Sequence, residues 1–293
     1  MAEITAGLVK ELRERTGLGM MECKKALQEA QGDIELAIDN LRKSGQAKAA
    51  KKAGNIAAEG AIVVAHSADE TRALIMEVNC QTDFVAKDAN FTSFASQVAE
   101  LALAASCTDI AAISALKMGE STVEEARVAL VQKIGENIQL RRAELLQGER
   151  VVSYIHGNKM GVALALKGGD ASLGKDLAMH VAAANPMVVS PEQVPEDVLN
   201  KEREIYAAKA RESGKPEEIV AKMIEGSVRK FLAEVSLLDQ AYVKDPETKV
   251  GALLKKHSAT VQHFIRYQVG EGIERKAVDF AAEVAAAAAA AQG

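Results

Sequence analysis

Tryptophan is absent from this sequence of 293 residues, and aromatic residues together make up only 3% of it. The three cysteines, Cys23, Cys80 and Cys107, are odd in number and widely spaced. That pattern fits neither a disulfide scaffold nor a clustered zinc site, and it suggests a reducing compartment. No charged-then-apolar signal segment opens the chain, and no apolar run approaches the length of a membrane span. We therefore expect a cytoplasmic protein that does not associate with membranes.

The net charge and the histidine spacing argue against two further classes, nucleic-acid-binding proteins and metalloproteins. Charged residues make up 26% of the chain and sum to a net charge of −5, so the whole chain does not require nucleic acid or an anionic surface as a partner. The five histidines show no HExxH pattern or similar ligand spacing. The sequence predicts neither a metal site nor a bound cofactor.

One segment matches a phosphate-binding motif. Residues Gly169 to Lys175 have the spacing GxxxxGK, follow a predicted strand and precede a predicted helix. Asp176, however, replaces the hydroxyl residue that would bind Mg²⁺, and Asp170 adds a negative charge inside the loop. The predicted sheet is also antiparallel. We interpret the segment as a turn with a helix cap rather than as the loop of a nucleotide hydrolase. Since no other segment supports catalysis, we predict that the chain is not an enzyme.

The N-terminal residues 4–45 predict three short helices. Thr5 can cap the first, Met20 and Met21 open the second, and Asp33 can cap the third. Three helices in so few residues make a small module with a marginal core. Adjacent helical residues face different ways, so at least one of Met20 and Met21 is expected to be exposed.

A basic, alanine-rich stretch, residues 42–54, is predicted to be a linker. Its clustered cations can contact RNA phosphates, but no aromatic residues interleave for base stacking. A solvated linker or a contact with an acidic protein is therefore favoured over RNA binding, and no direct nucleic-acid partner is expected.

Two later stretches share one pattern, a hairpin followed by a helix. The first has strands at 61–65 and 72–79 and a helix at 90–105; the second has strands at 150–155 and 161–167 and a helix at 173–184. The pattern predicts an α+β core built by internal duplication, with antiparallel sheet and helices. Residues 263–269 form a late strand that can join the second unit.

A helical pair, about 195–213 and 216–235, interrupts the second unit. Gly214 and Pro216 are typical of the exit of one helix and the entry of the next. The second helix has the richer apolar stripe, which includes Ile219, Met223, Val228 and Phe231. The unequal stripes predict a projecting hairpin whose apolar face contacts a partner or another copy of the chain. The alanine-rich tail has high helix propensity.

The stretch NCQTDFVAKD, residues 79–88, places Phe84 on a polar turn directly after a strand. The ring can fold back onto its own core beside Phe91 and Phe94, or it can insert into a partner. Spacing alone slightly favours the core interpretation.

The opening MAEITAGLVKELRERTGLGMMECKKALQEAQGDIELAIDNLRKSG, the segment NCQTDFVAKD, SYIHG and the closing FIRYQVGEGIE together resemble the bacterial elongation factor Ts family over essentially the whole chain. The resemblance implies a protein that binds elongation factor Tu, a GTPase that delivers aminoacyl-tRNA to the ribosome, and accelerates release of its GDP. It also implies a ubiquitin-associated-like module at 1–54 with its linker and core subdomains at 55–149 and at 150–187 with 238–272. The remaining parts are an inserted coiled-coil hairpin at 188–237 and a C-terminal helical module at 273–293.

The resemblance also implies which residues bind the partner. The residues expected near the Mg²⁺ and phosphate site of elongation factor Tu are Thr82, Asp83, Phe84 and Val85. Other expected partner contacts are Arg13, Met20, Met21, Lys52, His156 and Val243. Lys244 departs from the apolar residue expected beside Val243, so a partner contact there is not predicted.

Overall fold

The computed structural model describes residues 4–212 and 214–274. Its N-terminal module consists of α1 (Ala6–Thr16), α2 (Met20–Glu29) and α3 (Ile34–Lys52). The predicted caps are confirmed: Thr5 Oγ1 accepts from Leu8 N at 3.3 Å, and Asp33 Oδ1 accepts from Leu36 N at 3.0 Å. Gly17 ends α1 with a left-handed φ of 68°.

The linker prediction for residues 42–54 is wrong over most of its length, because α3 continues as a helix to Lys52. Alanine and lysine are strong helix formers, and tertiary contacts extend the helix further. Its buried residues, Ala37, Leu41, Gly45 and Ala49, recur every four positions and form one narrow stripe. The basic side chains therefore lie on a helix that packs against the rest of the protein.

The first core unit follows α3. Its elements are β1 (Glu59–His66), β2 (Arg72–Cys80), α4 (Ala89–Ala104), α5 (Ile110–Ala115), β3 (Lys117–Met118), β4 (Ser121–Thr122), α6 (Val123–Ile134) and β5 (Gln139–Gln147). The three long strands form an antiparallel sheet in the order β1-β2-β5. The predicted hairpin and helix are confirmed; β5 was not among the predicted strands.

The second core unit begins at β6. Its elements are β6 (Arg150–His156), β7 (Met160–Lys167), α7 (Ala171–Ala184), the helical pair α8 (Glu196–Arg211) and α9 (Glu217–Val235), β8 (Ala241–Tyr242), β9 (Asp245–Lys249), α10 (Val250–Lys256) and β10 (Thr260–Gln268). Strands β6, β7 and β10 form an antiparallel sheet with β7 in the centre. Both units thus place the second hairpin strand between the first and a late third strand, as the predicted duplication requires.

The two sheets pack against each other, with the helices on their outer faces. The shared core includes Ile62 and Ile75 of the first sheet and Ala163 and Ile265 of the second. Gly161 permits a close approach, because a β-carbon built there would lie 2.5 Å from Cγ2 of Ile62. Helix α4 covers the outer face of the first sheet, and α7 covers that of the second.

A buried ion cluster at Glu77 joins the sheets at one end. The Glu77 carboxylate accepts from Arg141 at 3.0 Å, from Arg142 at 2.7 Å and from Gly270 N, just past β10, at 2.7 Å. Burial alone would raise the pKa of the Glu77 carboxyl, but these bonds and one from Asn79 hold its pKa below the usual range. The charge is retained because it is fully paired.

The helical pair projects from the second unit as predicted, and Pro195 and Pro216 precede its two helices. Helix α8 covers part of the apolar stripe: Val228 is buried, which contradicts its place on the predicted exposed face. Ile205 and Ile219 remain 50% and 45% exposed. Among the described residues, no helix combines the length and apolar character needed to cross a membrane. Apart from its first two residues, the predicted C-terminal module (273–293) lies outside the described residues.

Candidate partner-binding surface

The loop from Gln81 to Asp88 connects β2 to α4. Asp88 begins α4 by accepting from Asn90 N at 2.8 Å and from Phe91 N at 3.3 Å, and a short 3₁₀ turn, Val85–Lys87, precedes it. This cap directs Phe91 and Phe94 into the core of the first unit, where both are buried. The Thr82–Val85 loop therefore lies between two fixed elements.

Phe84 is 81% exposed, the largest exposed fraction among the large apolar side chains of the described residues. The core interpretation of this ring is therefore wrong. Val85, the next residue, instead packs against the buried core of the first unit. The loop is anchored by Val85 and presents Phe84 to solvent.

Asp83 lies beside the exposed ring and pairs with Lys87. The carboxylate Oδ2 lies 2.8 Å from Lys87 Nζ, one helical turn further along the chain. That hydrogen bond, together with the charges of Lys87 and Lys159, holds the pKa of the Asp83 carboxyl below its usual range. Asp83 is therefore an anion at neutral pH, and both partners of the pair are accessible enough to exchange it for another contact.

Hydrogen bonds to the Glu136 carboxylate fix the position of Thr82. Its hydroxyl donates to Glu136 Oε1 at 2.7 Å, and the backbone N–H groups of Gln81 and Thr82 donate to Glu136 Oε2 at 3.1 and 3.0 Å. Burial raises the pKa of the Cys80 thiol to about 12, so the thiol stays protonated and donates to the carbonyl oxygen of Thr82 at 3.2 Å.

The predicted patch on the N-terminal module is exposed. Met20 and Met21 are 60% and 75% exposed, and Arg13 also faces solvent. The turn before α2 lies close to Lys133, whose Nζ would be 3.7 Å from a β-carbon at Gly17. Lys133 Nζ also donates to Asn90 Oδ1 at 2.8 Å. Lys133 therefore links the turn before α2 to the first turn of α4.

Lys52 is linked to the loop from Gln81 to Asp88 through Asn55. It is half-buried at the end of α3, and its carbonyl oxygen accepts from Asn55 N at 2.9 Å. Asn55 Nδ2 then donates to Gln81 Oε1 at 3.2 Å. The end of α3 is thus tied to the residue just before Thr82.

His156 is the last residue of β6, and the structure brings the turn that follows it to the first unit. Asn158 O accepts from Ile62 N at 2.8 Å, and Lys159 pairs with Glu59. Lys159 is also close enough to lower the pKa of Asp83 electrostatically. His156 itself is exposed, and its Nδ1 lies 3.1 Å from the Tyr154 hydroxyl.

Val243 is exposed and is positioned by a buried histidine. His180 Nε2 lies 2.9 Å from Gln240 Oε1, and its Nδ1 accepts from Val243 N at 3.2 Å. Burial lowers the pKa of His180, so the ring is neutral and Nε2 carries the proton. Because α7 runs back along β7, His180 and Val243 lie toward the same end of the second sheet as His156.

Comparison with known proteins identifies the family of this chain. The family model for elongation factor TS matches residues 81–271. An elongation factor Ts of Psychrobacter sp. (strain PRwf-1) is 64% identical over 292 residues, 99% of each chain. Those of Alcanivorax borkumensis and Acinetobacter baumannii are 65% identical over 283 residues and 62% over 294, covering 96% and 100% of this chain and 99% and 100% of the relatives.

The chain belongs to the elongation factor Ts family. Its role is therefore that of a translation elongation factor, and the resemblance found in the sequence is confirmed.

The phosphate-motif segment of this elongation factor Ts chain is a helix cap, as predicted. Asp170 Oδ1 accepts from Leu173 N at 2.8 Å, which begins α7. The Asp176 carboxylate pairs with Lys244 at 2.6 Å and lies 3.3 Å from the Tyr242 hydroxyl. Both carboxylates of the segment, Asp170 and Asp176, therefore make contacts within the second unit. Among the described residues, no cluster of three or more potential metal ligands occurs.

Glu136 is the residue of this surface that sequence reasoning missed. It is 54 residues from Thr82 in the chain, and no local motif marks it. The only local signal is its place directly after Gly135, a residue type that often ends helices.

Proposed function

We propose that this chain is the guanine nucleotide exchange factor of elongation factor Tu and that it promotes GDP release. In this proposal the Thr82–Val85 loop enters the partner near its Mg²⁺ and phosphate site. Family membership supports the partner, and the observation that carries the mechanism is the exposed Phe84 ring on an anchored loop.

The chemistry of the loop suits a wedge. Insertion of Phe84 into an apolar gap of the partner removes its ring from water, a gain of about 1.5–3 kcal/mol for a fully buried side chain. Asp83 brings a negative charge that competes for the groups that organise the metal and phosphates. By linkage, the factor weakens nucleotide binding only as much as nucleotide weakens binding of the factor. The exchange step requires no acid, base or metal from this chain.

The other expected partner residues supply docking contacts. In this proposal Arg13, Met20, Met21 and Lys52, on the N-terminal module, dock on one flank of the loop, and His156 and Val243, on the second unit, dock on the other. Flexible methionine side chains suit an adaptable apolar contact. In this arrangement docking at both flanks places the loop against the nucleotide site.

The helical pair is proposed as a peripheral contact. Its exposed Ile205 and Ile219 contact either another copy of the chain or the partner, and this contact tunes exchange without driving it.

Release of a fluorescent GDP analogue from elongation factor Tu tests the proposal. We expect the wild-type chain to accelerate release and Phe84→Ala to reduce the stimulated rate by about tenfold or more, as for a central interface residue. The matched control is Leu36→Ala, which truncates another exposed apolar side chain outside the proposed contacts. Normal release with Phe84→Ala would rule out the wedge, and no stimulation by the wild-type chain would contradict the proposed function.

A further inference from the structure

We propose that Glu136 is a positioning residue that holds the Thr82–Val85 loop in the shape that projects Phe84 into solvent. The inference rests on the proposed function and adds a residue outside the loop to it. Glu136 acts through Thr82 and does not need to touch the partner.

Strand register places Glu136 opposite Thr82. Asn79 of β2 pairs with Gln139 of β5 in an antiparallel ladder, so the residues that continue past the two strand ends remain opposite each other. Beyond the Asn79–Gln139 pair, the backbone hydrogen bonds between the two strands end, and the side chain of Glu136 supplies the acceptor instead. The Glu136 carboxylate takes up the N–H groups of Gln81 and Thr82, which have left the sheet.

The backbone around Glu136 is itself fixed on both sides. Gly135 ends α6 with a φ of +85°, and its N–H donates to Val131 O at 2.8 Å. Asn137 N donates to Gln81 Oε1 at 2.8 Å, and Asn137 Nδ2 donates to Asn55 O at 2.8 Å. Glu136 therefore extends from a rigid corner, and its carboxylate can define the position of Thr82.

The three hydrogen bonds to Glu136 also restrict the turn that carries Phe84, because Thr82 is hydrogen-bonded to that turn. Thr82 Oγ1 donates to Glu136 and lies 3.4 Å from Val85 N, while Thr82 O accepts from Ala86 N at 3.2 Å. Charged acceptors make the stronger hydrogen bonds of proteins. Without the carboxylate, two N–H groups lose their acceptor and the loop is free to move, so the exposed ring can turn toward its own core.

The maximal rate and the half-saturating concentration of stimulated GDP release separate positioning from direct contact. We expect Glu136→Ala to lower the maximal rate by about tenfold, with a half-saturating concentration within about threefold of wild type, since the docking flanks are unchanged. Glu136→Gln keeps a carbonyl oxygen for both N–H donors, so its maximal rate should stay within about threefold of wild type.

A second readout does not involve the partner. Because the chain has no tryptophan, Phe84→Trp introduces a single indole at the end of the loop. Its fluorescence anisotropy decay should be dominated by rotation of the whole protein when Glu136 is present. Adding Glu136→Ala should introduce a fast component from loop motion, whereas adding Glu136→Gln should not.

Three results for Glu136→Ala would overturn the positioning role. They are a normal maximal rate, a change in the half-saturating concentration alone, and an unchanged anisotropy decay. If Glu136→Ala does not fold, Thr82→Val replaces it: losing only the hydroxyl bond should lower the maximal rate by about threefold, and an unchanged rate would overturn the inference. Failure of the wild-type chain to stimulate release contradicts the proposed function, while the indole measurement still tests the loop.

Discussion

At the scale of single residues, Phe84 and Phe91 are seven positions apart and have opposite surroundings. Phe91 is fully buried beneath the first sheet, whereas Phe84 faces solvent. The difference arises from the Asp88 cap, which starts α4 and turns the later rings inward. An exposed ring contributes little to folding, which is compatible with the proposed insertion of Phe84 into a partner.

Unfolding in urea should separate the two rings. Phe91→Ala should lower the free energy of unfolding by about 3–5 kcal/mol because it opens a cavity. Phe84→Ala should change it by less than about 0.5 kcal/mol because the ring is exposed. A large destabilisation by Phe84→Ala would show that the ring supports the fold. Any loss of exchange by this variant would then come from unfolding rather than from a lost partner contact.

His180 makes the fold sensitive to acid. Its pKa in the folded protein is below the unfolded value of about 6.5, so the unfolded state binds more protons as the pH falls. The stabilisation is complete above that unfolded pKa and is lost as the pH falls through the folded pKa, by up to roughly 1.4 kcal/mol per pH unit.

The check is the free energy of unfolding at pH 7.5 and at pH 5.5. His180→Gln should reduce the loss of stability between these two values, because the proton uptake of this site disappears. His257→Gln, at an exposed position outside these hydrogen bonds, is the control and should retain the wild-type dependence. An equal dependence in all three proteins would contradict the role of His180.

At the scale of elements, α3 shows how packing changes a local prediction. Residues 42–54 are basic and rich in alanine, which suggested a linker. In the structure, Gly45 lies against α6, where a β-carbon would be 2.4 Å from Gln132 Oε1. Glu22 of α2 also accepts from Lys48 and, at 3.1 Å, from Gln132. The module is therefore docked on the first unit by its third helix.

This docking leaves the methionines of α2 free for a partner. We expect the double variant Met20→Ser and Met21→Ser to lower the affinity for elongation factor Tu by about tenfold or more, because it removes two exposed apolar side chains from one contact. Leu36→Ser, on the same module, should bind normally. Calorimetry measures both, and unchanged affinity of the double variant would exclude the module as a docking element.

At the scale of the whole molecule, the two duplicated units are packed together through their sheets. The sheets share a core, the Glu77 cluster ties Gly270 to the first sheet, and the β6–β7 turn bonds to Ile62. These contacts bring His156 and Lys159 toward the Thr82–Val85 loop. The helical pair projects away from this assembly, with Ile205 and Ile219 exposed.

Self-association through the helical pair is tested at the same scale. If the pair contacts another copy of the chain, which is one of the two proposed contacts, sedimentation equilibrium of the wild-type chain should show association that rises with concentration. The double variant Ile205→Ser and Ile219→Ser should then abolish this association. GDP release by that double variant should stay within about threefold of wild type, because the pair is proposed to tune exchange without driving it. A wild-type chain that remains monomeric would contradict self-association.

The sequence by itself determined the local elements. The caps at Thr5, Asp33 and Asp170, the two hairpins with their helices and the projecting pair follow from propensity, periodicity and turn chemistry. These depend on residues a few positions apart, which a single sequence displays directly. The resemblance of whole stretches supplied the family and the expected site residues.

Only the tertiary structure decided which residues that are distant in the sequence lie next to each other. The pairing of β5 with β2 brings Glu136 to Thr82, and the packing of α6 against α3 turned the supposed linker into a helix. The same contacts left Phe84 in solvent although its spacing suggested the core. Contacts between distant residues depend on strand register and on the shape of the assembled core, and neither is encoded in the spacing of neighbouring residues.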